Sequence, residues 1–155
     1  MQSDSQYNKP QNHLLRRIEI YKNRPIFYSL GDFVFQTEAV TSQPADFYQH
    51  YGLSHNHNVA DALEAMSANY TRGLCVHREV WEAVIPLWKM QDGELLEIEL
   101  HPIELGYELP VHRMGWPRKS TSPHIMESLK ALSEPFGTHV EIDEEGVGRV
   151  RLQAK

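Results

Sequence analysis

The segment AVIPLWKMQDGELLEIELHPI, residues 83–103, constrains the fold more than any other part of the sequence. Apolar residues at positions 96, 98 and 100 alternate with polar residues at 97, 99 and 101, which is typical of a strand with one buried face. The tetrapeptide QDGE at 91–94 predicts a tight turn between two antiparallel strands. Together with the preceding GLCVHREVW, the sequence predicts an antiparallel meander over residues 73–105, interrupted by a bulge or strand end at Pro102.

Two further hairpins are predicted on either side of this meander. The first, IEIYKNRPIFYSL, turns at residues 22–24 and carries Pro25 at the start of its second arm, where proline is tolerated. The alternation of apolar residues indicates that positions 18 and 20 of the first arm, and 26, 28 and 30 of the second, face the core. The second hairpin pairs residues 139–142 with 147–152.

Two main helices are predicted, at residues 58–68 and 122–133, with one helical turn near 47–51. Asn58 is a good N-cap with Asp61 at position N3, and Ser122 with Pro123 provides a second helix start. The apolar stripes are Val59, Ala62, Leu63 and Met66 in one helix, and Ile125, Met126, Leu129 and Leu132 in the other. Residues 106–121 are predicted to form a long ordered loop. Because the predicted strands form hairpins and only two main helices accompany them, the predicted fold class is α+β with a mostly antiparallel sheet.

Composition limits the classes of protein to which this chain can belong. Its 155 residues suit one domain, and 41% hydrophobic with 23% charged residues is typical of a soluble globular protein. No apolar run approaches the roughly 20 residues that span a bilayer. A net charge of −6 disfavours nucleic acid as a partner. Residues 1–12 are predicted to be a disordered lead-in without a secretory signal.

Residue chemistry alone does not identify an activity. The chain has nine histidines, and His55 and His57 have a spacing that metal ligands use, but no cysteine or carboxylate pattern completes that site. Glu97 and Glu99 are expected on a solvated strand face. The single cysteine, Cys75, excludes an intrachain disulfide and is expected to be a small buried side chain.

One stretch resembles a known family. HLLRRIEIYKNRPIFYSLGDFVFQ, beginning at His13, is similar to the signature of the CapA family of bacterial capsule and poly-γ-glutamate synthesis proteins. In that family a G-H-x-P-H element precedes an Ile-Glu-x-Tyr hairpin and the motif YSLGNFVF. The resemblance continues through ELHPIELGYELP and LSEPFGT…GVGRV, so it covers about residues 13–152 and implies that 13–155 is the C-terminal part of a CapA-like domain.

The resemblance implies a metal cleft in a calcineurin-like metallophosphatase fold, a four-layer α/β sandwich. Such proteins use a two-metal site, for which manganese, zinc or magnesium is the implied cofactor. Here His13 would be a metal ligand, and Ser29, Gly31 and Asp32 would line the cleft. The sequence departs from the family at residues 9–12, where the other G-H-x-P-H positions would fall, and at Asp32, which replaces the asparagine of the motif. An aspartate cannot donate as an amide does.

We therefore expect a CapA-like protein of capsule or poly-γ-glutamate biosynthesis, present here as a fragment or a degenerate paralogue that is not catalytically competent alone and binds no metal tightly. The implied partners are the N-terminal half of the same fold, a second copy of the chain, or poly-γ-glutamate or the capsule machinery, often at the cell envelope. The alternative is a non-catalytic binding or structural domain that docks a protein partner through residues 106–121 and exposed strand edges.

Overall fold

The computed structural model describes residues 13–36 and 39–152, so the predicted lead-in at 1–12 lies outside the described residues. The described part is α+β with mostly antiparallel strands and three α-helices, as the sequence predicts. The strands are β1 (Ile18–Tyr21), β2 (Arg24–Phe27), β3 (Glu82–Gln91), β4 (Glu94–Glu104), β5 (Arg118–Lys119), β6 (Val140–Ile142) and β7 (Gly148–Val150). The helices are α1 (Ala45–His50), α2 (Val59–Ser67) and α3 (His124–Ser133).

The main sheet has the strand order β3-β4-β7-β6, and β5 also pairs with β4. The predicted turn joins β3 to β4 through Asp92 and Gly93, both with positive φ (50° and 77°), which is the backbone of a type I′ hairpin. The prediction of a break at Pro102 was wrong, because β4 continues through it and the register shifts instead between Lys89 and Met90. Val84 lies opposite Pro102, and its N–H points away from β4 and donates to the Leu30 carbonyl. Val84 and Pro102 therefore form a pair that exchanges no hydrogen bonds, so the missing N–H of the proline leaves no acceptor of β3 unpaired.

The prediction of a strand in GLCVHREVW was also wrong. The segment forms two 3₁₀ turns, Leu74–Val76 and Arg78–Trp81. The indole N–H of Trp81 donates to the carbonyl of Cys75 at 3.0 Å, a contact between residues too close in sequence for an extended strand to make. The predicted loop at 106–121 contains a further 3₁₀ turn, Val111–Arg113, and the short strand β5.

The first hairpin forms as predicted, but its second arm presents the other face. Its turn consists of Lys22 and Asn23 alone, with φ of 48° and 60°. This turn pairs Ile18 with Phe27, so Phe27 shares the core face of Ile18 while Ile26 is exposed. A one-residue difference in register exchanges the two faces of a strand.

Both main helices are present, with corrections at the start and along the stripe of α3. In α2 the Asn58 side chain accepts from the N–H groups of Ala60 and Asp61, and Asp61 accepts from Asn58 N–H, which completes a capping box. Helix α3 begins at His124 and has no side-chain cap, so the predicted cap at Ser122 is wrong.

The buried face of α3 is also displaced from the predicted stripe. Ile125, Met126 and Leu129 are buried, whereas Leu132 is 42% exposed. Ser133 is buried instead, and its hydroxyl accepts from the backbone N–H of Ile18 at 3.0 Å. This hydrogen bond attaches the end of α3 to β1.

Two apolar clusters lie on opposite faces of the β3–β4 pair. On one face, α3 and the first hairpin cover a cluster that includes Val84, Ile98 and Leu100. On the other face, Trp81 and Leu105 belong to a second cluster at the end of the sheet where β3 begins. Opposite faces follow from the alternation of side chains along β3 and β4.

Candidate functional site

The structure brings together two residues that the resemblance identified separately. His13 Nδ1 lies 2.9 Å from Asp32 Oδ2 and 3.2 Å from Asp32 Oδ1. The side chains are 38% and 20% exposed, so the pair lies at the surface with the carboxylate the more enclosed partner. An ionised carboxylate only accepts hydrogen bonds, so Nδ1 carries the proton and donates it.

The register of the first hairpin places these residues opposite each other. Ile18 pairs with Phe27, and three residues further out Leu15 forms a bridge with Leu30. The same register, extended by two more residues on each arm, brings His13 opposite Asp32. Between these pairs, Arg16 N–H donates to the Ser29 carbonyl at 2.9 Å. The backbone pairing of the two arms therefore continues beyond β1 and β2 to Leu15 and Leu30, and the side-chain contact of His13 with Asp32 lies two residues beyond that bridge.

The loop that carries Asp32 is held against the start of β3. The Leu30 carbonyl accepts from Val84 N–H at 2.9 Å. Gly31 has φ of +79°, and a Cβ atom added there would lie 2.3 Å from the Glu82 carbonyl oxygen, so the close approach requires glycine. The Ser29 hydroxyl accepts from Gly31 N–H at 3.4 Å. Ser29, Gly31 and Asp32, which were predicted to line a cleft, thus differ in role. Ser29 and Gly31 shape the turn, and Asp32 contacts His13.

The His13–Asp32 pair is suited to holding an imidazole in one orientation. With Nδ1–H engaged by Asp32, the lone pair of the neutral ring is on Nε2, for which the described residues supply no hydrogen bond. Metal-binding histidines are oriented by carboxylates in this way, so the pair fits one metal ligand with its supporting group. Within residues 13–36 and 39–152, however, no three His, Cys, Asp or Glu side chains come together as a metal site.

A cavity of about 690 Å³, which the sequence did not reveal, includes His13 in its wall. Helix α2 forms one side of it, residues 69–75 form another, and Phe35 and Trp81 line it from the second apolar cluster. The Phe35 and Trp81 rings meet edge to face, with centroids 4.8 Å apart. The only sequence signal was the apolar stripe of α2, which periodicity alone assigns to the core.

Glu82 is a buried carboxylate that the sequence also did not identify. Its side chain is 8% exposed and accepts from Arg78 Nε at 3.1 Å, with His124 Nε2 at 3.9 Å. Burial raises the pKa of Glu82 above its ordinary value of 4.5, against the opposing hydrogen bond from Arg78. The carboxylate lies where the 3₁₀ turn at 78–81, β3 and the start of α3 meet.

The other candidates from the sequence take part in ordinary surface interactions. Glu97 and Glu99 are on the polar face of β4, where they pair with Lys89 and Arg149. The hydrogen bond from Lys89 lowers the pKa of Glu97. His57 Nδ1 accepts from Ser54 N–H at 3.0 Å in an exposed turn.

No protein-family model matches the sequence. Two uncharacterized proteins of Sinorhizobium fredii, y4sH and y4uA, are each 39% identical to this chain over 150 residues, which cover 90% of this chain and 32% of each relative. The chain therefore spans about a third of the length of the curated relatives it matches. None of the helices in the described ranges is long and apolar enough to cross a membrane.

Proposed function

We propose that this chain is the C-terminal part of a CapA-like protein of capsule or poly-γ-glutamate biosynthesis, and that His13 and Asp32 belong to its metal cleft. The observation that carries the proposal is the 2.9 Å contact between His13 Nδ1 and Asp32 Oδ2. Both residues fall on positions of the family motif, His13 as its final histidine and Asp32 in place of its asparagine, and the two arms of the hairpin carry them. In this assignment Asp32 orients the ring and His13 Nε2 faces the metal.

The remaining metal ligands would come from polypeptide outside this chain. The described residues assemble fewer than three ligand side chains at any point, whereas a two-metal site needs several converging ligands. About two thirds of each Sinorhizobium relative lies beyond the matched region, which leaves room for the other half of a four-layer metallophosphatase-like sandwich. Bound divalent cations would supply an activated water and stabilise charge during hydrolysis of a phosphoester.

Titration of the isolated chain with manganese tests this assignment. Paramagnetic broadening in NMR spectra is expected to affect the His13 ring signals first, at high metal concentration, and to disappear in Asp32→Ala. His112, which is exposed on a 3₁₀ turn, is the internal control. Equal broadening of both histidines, with no effect of Asp32→Ala, would contradict the assignment.

Calorimetry and an aryl phosphate assay test whether the isolated chain carries only part of the metal site. We expect weak binding of manganese and zinc and no measurable phosphoesterase activity, because too few ligands are present. Tight binding of two ions that is lost in His13→Ala and retained in His112→Ala would overturn the fragment assignment.

A second function, a domain that docks a protein partner, is favoured by exposed apolar side chains on the first hairpin. Tyr21, Ile26 and Tyr28 are 54%, 37% and 46% exposed. In the described structure β1 and β2 form a two-stranded sheet of their own. Such a surface suits the other half of the same fold or a second copy of the chain.

A further inference from the structure

The cavity beside α2 has the size and lining of a small-molecule site. Its volume of about 690 Å³ lies within the roughly 300–1,000 Å³ of known ligand pockets. Side chains from α2, from residues 69–75 and from the second apolar cluster surround it, so it is concave rather than a flat contact face. Most of its lining is apolar and includes Phe35, Leu63, Met66, Leu74, Cys75 and Trp81.

Three residues of the apolar stripe of helix α2, Val59, Leu63 and Met66, line this cavity, and the fourth, Ala62, is buried. Only Ala62 and Ser67 of the helix are buried, whereas Leu63 and Met66 remain partly exposed. A capping box fixes the start of the helix. At its end Arg72 Nε donates to the Met66 carbonyl at 2.9 Å, which ties the neighbouring wall back to the helix. The two walls are thus fixed by hydrogen bonds that do not fill the space between them.

A few polar groups are available among the apolar side chains. His13 contributes to the wall, and its Nδ1 is engaged by Asp32. Glu64 and Arg72 also contribute to the lining, and both are exposed residues. A concave apolar space that is open to solvent on one side and carries a small number of polar groups is suited to an amphiphilic small molecule.

We propose that this cavity binds the aliphatic or aromatic part of a small amphiphilic molecule, with the polar end of that molecule beside His13. Burial of the apolar part against α2 and Trp81 removes apolar surface from water on both sides, which is the driving force for binding. The site needs no metal ion and no residue outside this chain. Both proposals use His13, but probe binding is measured without metal, so its failure is distinguishable from that of the proposed metal cleft.

The probe for this proposal is 8-anilinonaphthalene-1-sulfonate, with decanoate as competitor. The wild-type chain is expected to bind one probe molecule with increased fluorescence, and decanoate is expected to displace it. Leu63→Trp fills the cavity and should weaken binding by about tenfold or more, equivalent to about 1.4 kcal/mol. The matched control is Leu132→Trp, the same change at a 42% exposed position of α3 on the other face of the sheet. Met66→Phe is the second filling variant if Leu63→Trp does not fold.

Cys75 provides a reporter located at the cavity, since it is the chain's one cysteine and lies in the lining. Decanoate should slow the reaction of its thiol with a disulfide reagent in the wild type and in Leu132→Trp. No probe binding by the wild type, or equal binding by both tryptophan variants and Met66→Phe, would overturn the proposal. A dimer in sedimentation experiments that Leu63→Trp alone disrupts would also overturn it, because the cavity would then accept a protein segment.

Discussion

Replacing Gly31 with alanine should destabilise the protein through a defined steric conflict. At φ of +79° an alanine adopts a left-handed conformation, which costs roughly 1–2 kcal/mol. The new Cβ would also lie 2.3 Å from the Glu82 carbonyl oxygen and 3.0 Å from Ala83 Cα, which are backbone atoms of β3. The loop must therefore move away from the strand.

That movement breaks the hydrogen bond from Val84 N–H to the Leu30 carbonyl, which contributes about 0.5–1.5 kcal/mol. The expected loss in the free energy of unfolding is the sum of the two terms, about 1.5–3.5 kcal/mol. For a chain of this length, each kcal/mol lowers Tm by about 2–4 °C.

Urea unfolding of Gly31→Ala beside Gly146→Ala separates the two terms. Gly146 has nearly the same φ, +78°, but a Cβ there meets nothing within 4 Å, so its replacement measures the conformational cost alone. Displacement of the loop also moves Asp32, so the ¹⁵N chemical shifts of the His13 ring should report a weaker Nδ1 hydrogen bond only in Gly31→Ala. Equal destabilisation by both substitutions, with unchanged His13 shifts, would refute this reasoning.

Ser133→Ala removes the acceptor of the buried Ile18 N–H and should lower the free energy of unfolding by about 1–3 kcal/mol, whereas Ser122→Ala, which removes no cap, should change it by a few tenths. Burial raises the pKa of Glu82 in the folded state, so the folded protein binds more protons than the unfolded chain just above pH 4.5 and stability falls as pH rises through that window. Glu82→Gln should flatten this dependence in urea titrations at several pH values, and parallel profiles would contradict it. Ile26→Lys places a charge on the exposed face of the first hairpin and should abolish self-association in sedimentation velocity, whereas a wild type that stays monomeric at high concentration would count against that interface.

Local sequence was sufficient to predict the elements whose signals lie within a few residues. The capping box of Asn58 and Asp61 depends on residues three apart, and the turn at Asp92 and Gly93 depends on two adjacent residues, so both appeared as predicted. The juxtaposition of His13 and Asp32 also follows from a local feature, although it was not predicted. Once a two-residue turn is placed at 22–23, its register puts position 13 opposite position 32.

Tertiary structure decided the features that depend on distant parts of the chain. Pro102 is tolerated within β4 because it faces Val84 in a pair that needs no N–H from the proline, and the outward N–H of Val84 finds its acceptor in Leu30, a contact that no local pattern encodes. The apolar stripe of α2 predicts burial, but a helix period does not reveal whether protein or a cavity faces that stripe. Gly31 is required by the Glu82 carbonyl about fifty residues away, and the buried carboxylate of that same residue lies where three elements meet. Periodicity and turn chemistry therefore determined the β3–β4 hairpin and the position of α2, whereas contacts between elements distant in sequence determined the 3₁₀ turns at 74–81 and the shape around the site.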